Sequence, residues 1–205
     1  MEPYEPSMDW GRELVPSLIW ILEAWAIAGV VTLAVLFLLA RFTVWGRQYW
    51  RITGDYFKGR ESVKIWIWLA VLLLSVMISV RINVLLSYFS NDMYSSLQTA
   101  FQALGAKEET MRADAIHGFW VALAIFGILA TIYISRALLD IYLTQRFIIR
   151  WRTWLTDRMT GDWLSDRAYY RSRFCDTNTD NPDQRIQQDV DVFTTGVGGS
   201  PNSPI

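Results

Sequence analysis

Hydrophobic positions along the chain gather into three long blocks with polar stretches between them. Residues 17–40 read "SLIWILEAWAIAGVVTLAVLFLLA" and hold a single charge, Glu23. Residues 65–89, "IWIWLAVLLLSVMISVRINVLLSYF", hold Arg81, and residues 118–143, "GFWVALAIFGILATIYISRALLDIYL", hold Arg136 and Asp140. About 20 apolar residues in a helix cross a hydrocarbon core of ~30 Å. Lipid offers no partner to backbone N–H and C=O groups, so each crossing must be helical. The pattern predicts an all-α, polytopic membrane protein with three spans.

The helical period continues past two of the blocks. After the second, Met93, Leu97, Phe101 and Leu104 recur at helical spacing, so that helix is expected to run beyond the bilayer and stop near Gly105, ahead of a charged loop. After the third, Phe147, Trp151, Leu155, Met159 and Trp163 keep an apolar stripe, while Arg150, Arg152, Asp157, Arg158 and Asp162 face elsewhere. This reads as an amphipathic extension of the third span. A helix lying flat on the membrane is the alternative, and the acidic residues among the basic ones speak against it. A polar linker, "RSRFCDTNTDNPD", follows. The next helix is announced by its own start signals in "NPDQRIQQDVDVF". Asn181 suits the N-cap, Pro182 the first helical position and Asp183 the positive end of the helix. Gln184 is placed to bond back to Asn181, Arg185 follows, and Ile186, Val190 and Phe193 line one narrow face.

Charge sets the expected orientation. Residues 41–64 carry Arg41, Arg47, Arg51, Lys58, Arg60 and Lys64 against Asp55 and Glu61, and Arg146, Arg150, Arg152 and Arg158 follow the third block. Residues 90–117 hold only Lys107 and Arg112 as basic groups. The excess of Lys and Arg on cytoplasmic loops places the first two stretches inside and the third outside. Residues 1–16, with Glu2, Glu5, Asp9 and Glu13 against Arg12, then form an extracytoplasmic segment, and residues 144–205 a cytoplasmic arm. The acidic start lacks the basic and short apolar regions of a cleaved signal. Trp20, Trp66, Trp68 and Trp120 lie near span ends, where indoles anchor at the interface. Two long helices meeting at a polar elbow on the cytoplasmic side make a lever.

Overall charge is balanced, at −1, and points to no nucleic-acid partner. One cysteine, Cys175, and one histidine, His117, give no metal-type spacing. The spans lack His, Cys and acids paired at one depth, so general acid–base chemistry would miss its usual members. Ionisable groups within spans are functional candidates by default. Arg81, Arg136 and Asp140 lie towards span ends, where long side chains reach the interface, and Arg136 and Asp140 stand at i, i+4 and can pair. The other reading is a wet cavity between helices, lined by these three and Asn83.

The stretches "YLTQRFIIRWRTWLTDRMTGDWL", "AYYR" and "NPDQRIQQDVDVF", with "TVWGRQYWRIT" and "NDMYSSLQTAF", resemble the SbmA/BacA-like group of ABC transporters, in particular its mycobacterial members with transmembrane and ATP-binding regions on one polypeptide. The resemblance covers essentially the whole chain. It implies an exporter-like helical transmembrane domain with long cytoplasmic helix extensions, in the bacterial cytoplasmic membrane. It further implies a homodimer around a large hydrophilic cavity that takes up hydrophilic solutes such as peptides and corrinoids. Asp166, Arg167, Ala168, Tyr169, Tyr170 and Arg171 would then form the coupling elbow against an ATP-binding domain, and ATP and Mg would serve the full-length member.

The sequence departs from that family pattern. No G-x-x-x-x-G-K-[ST] phosphate loop occurs, and "TTGVGGS" has glycines without a lysine. No further span follows "NPDQRI", and the sequence runs out in "GVGGSPNSPI". The expectation is therefore a partial transmembrane domain over residues 17–205, an N-terminal fragment with no nucleotide-binding domain and no cofactor of its own. A membrane-anchored scaffold that docks a partner through its arm is the alternative.

Overall fold

The computed structural model describes residues 5–58, 62–106, 109–171 and 181–195, and the side chains of Ala106, Ala168, Pro182 and Arg185 lie outside that description. The described elements are helical throughout: α1 (Leu14–Phe42), α2 (Val44–Thr53), α3 (Ser62–Ala106), α4 (Glu109–Leu164), a 3-10 turn (Ser165–Arg167), α5 (Ala168–Arg171) and α6 (Pro182–Thr195). Three of them, α1, α3 and α4, are long and apolar enough to cross a membrane. Each contains one of the three apolar blocks. The linker at 172–180 with Cys175, and the Gly/Pro/Ser stretch at 196–205, lie outside the described residues.

Helix lengths follow two different influences. Apolar side chains fill the spans, but the helices run on wherever good helix formers continue. α3 extends to Ala106, one residue past the expected stop, and α4 carries the third span through to Leu164 as a single helix. The stretch at 109–117, expected as a charged loop, is the first part of α4. The basic stretch at 44–53 is also helical.

The chain divides into two compact units. The first comprises residues 1–37 and 69–141, the second 38–68 and 142–205. In the first, Phe89, Ala122 and Leu129 are buried, with Trp10, Leu85, Leu86, Met93 and Ile125 packed against them. Phe89 and Phe126 stack at 5.0 Å between centroids. Asp92, 1% exposed, accepts from the Ser7 N–H at 2.7 Å and the Trp10 indole at 2.8 Å, and so ties the N-terminal stretch to α3. Of the stripe predicted on distal α3, Met93 and Leu97 are partly buried while Phe101 and Leu104 are exposed. Leu18, Ile27, Val30 and Phe37 of α1 are more than half exposed. Such a wall of bare apolar side chains would be untenable in water and is what lipid requires.

The second unit is an aromatic assembly. Phe193 of α6 meets Tyr49 of α2 at 5.7 Å and Trp151 of α4 at 5.5 Å, and Tyr56 meets Trp154 at 5.0 Å. Leu155, Thr53 and Val190 are buried among these elements. Arg152 pairs with Asp191 at 2.6 Å and Arg158 with Asp55 at 2.6 Å. The apolar stripes expected on the arm and on α6 are thus the inward faces. Burial raises the phenols of Tyr49 and Tyr56 above the ordinary tyrosine range, with the Thr53 hydroxyl and the Arg150 charge pulling back slightly, so both rings pack as neutral groups.

The corner between α1 and α2 is one residue long. Thr43, extended at φ −102 and ψ 148, accepts from the Gly46 N–H through Oγ1 at 3.0 Å and donates to the Leu39 carbonyl at 2.6 Å. Gly46 packs so close that a Cβ there would lie 2.2 Å from the Leu39 carbonyl oxygen. Gly46→Ala is therefore expected to destabilise the second unit by about 1–3 kcal/mol, as overpacking does. Thermal unfolding in detergent reads the loss, and an unchanged midpoint would show that the corner yields freely.

Candidate functional site

The elbow that closes α4 is built from unusual backbone. Asp166 and Arg167 take φ 48 and φ 56, the left-handed region that L-residues seldom occupy. Two consecutive residues of this kind end α4 abruptly. The chain then makes the single turn of α5, on which Tyr169 and Tyr170 are 46% and 55% exposed. Arg171 donates from its guanidinium to the Asp166 carbonyl, closing the turn on itself. Tyr169 also lies edge-on to Trp163 at 6.3 Å, which ties α5 back to the last turns of α4. The end of α4, the reversal and the aromatic turn are one local structure.

On the returning side, α6 begins at Pro182 as its start signals predict. Asn181 differs from the expected cap geometry. It has φ 46, where an N-cap is ordinarily extended, and asparagine is among the residues that tolerate this region best. Asp183 and Gln184 are exposed in the first turn. Ile186 and Phe193 are partly buried and Val190 is 4% exposed, so the narrow apolar face is real. Among the described residues, the non-glycine positions with positive φ are Asp166 and Arg167, just after α4, and Asn181, just before α6.

A groove of about 360 Å³ in the second unit is lined by Arg152, Thr160 and Trp163 of α4 and by Asp183, Ile186 and Gln187 of α6. In the first unit a cavity of about 540 Å³ is lined by Met8, Trp10, Asp92, His117, Val121 and Ile125. Among the described residues, no group of His, Cys, Asp and Glu is arranged to hold a metal ion.

The two arginines of the spans find partners on neighbouring segments. Arg81 of α3 pairs with Glu13 next to α1, donates from Nε to Ser17 Oγ at 3.0 Å, and sits 5.5 Å over the Trp20 ring. Ser17 in turn donates to Glu13 at 2.9 Å. Asn83 takes no part in this cluster; it is exposed and donates to the Ser79 carbonyl of its own helix at 3.0 Å. Arg136 of α4 donates to the Ser75 carbonyl of α3 at 2.8 Å, while its Nε is buried without a hydrogen-bond partner. The i, i+4 pairing of Arg136 with Asp140 does not form: among the described residues no ion pair joins them, because the guanidinium turns to α3. Sequence reading missed Glu13, Ser17, Ser75 and Asp92 as partners. Each is one polar residue whose mate is tens of positions away, and only Asp92, a lone acid on a predicted helix, carried any local hint.

The family profile described as ABC transporter transmembrane region 2 matches residues 52–199. A Haemophilus influenzae protein named as an uncharacterized ABC transporter ATP-binding protein is 38% identical over 186 residues, which is 91% of this chain and 29% of that protein. A second protein of that description from the same organism is 32% identical over 192 residues, 93% of this chain and 30% of its own length. The inner membrane ABC transporter ATP-binding protein YddA of Escherichia coli is 30% identical over 134 residues, 64% of this chain and 21% of YddA. The chain thus spans about three tenths of the length of the first two relatives. Three apolar helices of spanning length, together with a profile match over most of the sequence, lead to one conclusion: the chain belongs to the ABC transporter transmembrane region 2 family.

Proposed function

We propose that this chain is the transmembrane part of an SbmA/BacA-like transporter, moving hydrophilic solutes of peptide or corrinoid type across a bacterial cytoplasmic membrane. It works as a homodimer, with the N-terminus outside and the arm in the cytoplasm, as the arginine-rich stretches favour. An ATP-binding domain supplies the energy of nucleotide hydrolysis. The residues here do not fit nucleotide themselves, since no phosphate loop occurs in the sequence, so ATP and Mg belong to that domain. The chain's own task is to receive a push at the elbow and pass it along α4, which is a single helix from Glu109 to Leu164.

The observation that carries this reading is the paired left-handed backbone at Asp166 and Arg167, followed by two exposed tyrosines. Backbone held in a sparsely populated region persists only where the surroundings impose it, and such places concentrate at functional contacts. The test uses the full-length protein that contains this sequence. Tyr169→Pro and Tyr170→Glu are each expected to lower uptake of a labelled hydrophilic peptide and a labelled corrinoid by about tenfold or more, equivalent to at least ~1.4 kcal/mol on the transport step. The amount of protein in the membrane should not change. Wild-type uptake by both variants would remove the coupling role, and uptake of neither probe by the wild type would remove the solute class.

A further inference from the structure

The connection from α1 to α3 carries more chemistry than a tether needs. A single residue, Thr43, separates α2 from the end of α1 at Phe42. Consecutive Cα atoms are about 3.8 Å apart, so the start of α2 is held at the depth where the first span leaves the hydrocarbon. At 3.6 residues per turn its side chains sort into two sides. Gly46 and Thr53 are buried and face inward, and Tyr49, 37% exposed beside them, meets Phe193 with its ring tilted by 37°. Val44, Trp45 and Ile52 are 63%, 60% and 38% exposed and share the sector that runs from the far side round to Tyr49, with the exposed Gln48 among them. Arg47 and Arg51 are exposed and border that apolar strip. Apolar residues with an indole on one side of a helix and arginines along their edge are the composition of a helix lying in the headgroup region.

The surrounding charges are of one sign. Arg41, Lys58 and Lys64 are exposed as well, and among the described residues none of these five basic groups is in an ion pair. Asp55, the described acid of the stretch, is already held by Arg158 at 2.6 Å and neutralises none of them. Arg47 donates to the Arg41 carbonyl at 3.2 Å, and Lys58 stacks over Trp50 at 5.5 Å, so side chains are gathered rather than splayed. Arg146 and Arg150, both exposed, lie over Trp68 at 5.6 and 5.7 Å and add to the positive rim.

We propose that α2 and its flanking basic residues form a binding surface for anionic phospholipid headgroups in the leaflet where α1 ends. Trp45, Val44 and Ile52 enter the acyl boundary, and Arg47 and Arg51 take the lipid phosphates. A neutral lipid surface would satisfy the apolar strip but leave the arginines unmatched, and an acidic protein partner would leave the strip unmatched. The proposal rests on the three spans and not on transport, so its failure and the failure of the coupling reading are separate results.

The test places the chain in vesicles of roughly nine parts phosphatidylcholine to one part phosphatidylglycerol at low salt, where a surface basic residue favours anionic lipid about fivefold. In one preparation the phosphatidylglycerol chains carry bromine, which quenches nearby indoles. In the other an equal amount of phosphatidylcholine does. The fluorescence lost on Trp45→Phe isolates the Trp45 signal. That signal is expected to be quenched roughly fivefold more by the brominated anionic lipid, and the Arg47→Gln/Arg51→Gln double variant should bring the two preparations level. Equal quenching in the wild type would mean an unselective lipid surface, no quenching by either lipid would mean that protein covers this side, and a preference that survives in the double variant would mean that other groups hold the headgroups. Any of the three overturns the proposal.

Discussion

Arg81→Ala is expected to destabilise the first unit by about 3–5 kcal/mol, the range for removing one partner of a buried ion pair. The side chains of Arg81 and Glu13 are only 16% and 18% exposed. Water is therefore a poor substitute for the missing guanidinium, and the Ser17 hydroxyl would be left as the remaining described partner of the Glu13 carboxylate. Wild-type strength also draws on the Arg81 contact with the Trp20 ring, which is lost in the same variant. Replacing both charges tells the terms apart. Arg81→Met with Glu13→Gln removes the stranded charge as well as the pair, and should recover most of the loss. Thermal unfolding in detergent gives the stability, and protease cleavage within residues 5–13 reports whether this stretch has come away from α3. A single variant as stable as the wild type would show that the pair contributes nothing.

Leu155→Ala should be the costliest apolar truncation in the second unit, at about 2–5 kcal/mol. Leu155 is 1% exposed and lies one helical turn after Trp151, on the stripe of α4 that meets α6. Its removal leaves a cavity at a fully buried position, and a close-packed interior closes only partly around a void. Hydrogen exchange is the measurement: amides of α6 should lose protection by the corresponding factor, while those of α3 from 69 to 106 should not. Equal loss in both would mean that the two units do not open separately. Leu155→Met, nearly conserving volume, should cost under about 1.5 kcal/mol and serves as the control.

The spans, the arm and α6 were legible in the sequence because each is encoded locally. Apolar blocks of spanning length admit one solution in lipid, the stripe from Phe147 to Trp163 repeats at helical spacing, and Asn181-Pro182-Asp183 is a start signal within three residues. Boundaries were less legible, since hydropathy senses the bilayer and not the helix. That is why the first nine residues of α4 read as loop. α2 was missed for a related reason: ten residues with two arginines look like a basic connection, and their amphipathicity becomes informative only once Gly46 and Thr53 are seen to be buried. The polar contacts of the spans were not legible at all. Nothing near Arg81 in the sequence names Glu13 as its partner, 68 positions away, and Asp140 was the obvious but wrong mate for Arg136. The elbow stands between these cases. Its residues were placed by resemblance, whereas the reversal at Asp166 and Arg167 could not be read from residue types, because arginine has no preference for left-handed backbone.

The corner at Thr43 has a mechanical meaning for the end of the first span. One hydroxyl fastens the last turn of α1 to the first turn of α2, and Gly46 brings the two turns into backbone contact, so the corner itself has little freedom. α2 then behaves as a flange on a rod. With α2 among the headgroups as proposed, the end of α1 has a fixed draught in the bilayer, because plunging or rising would force arginines into hydrocarbon or an indole out into water. A thicker or thinner membrane must be met at the other end of that helix.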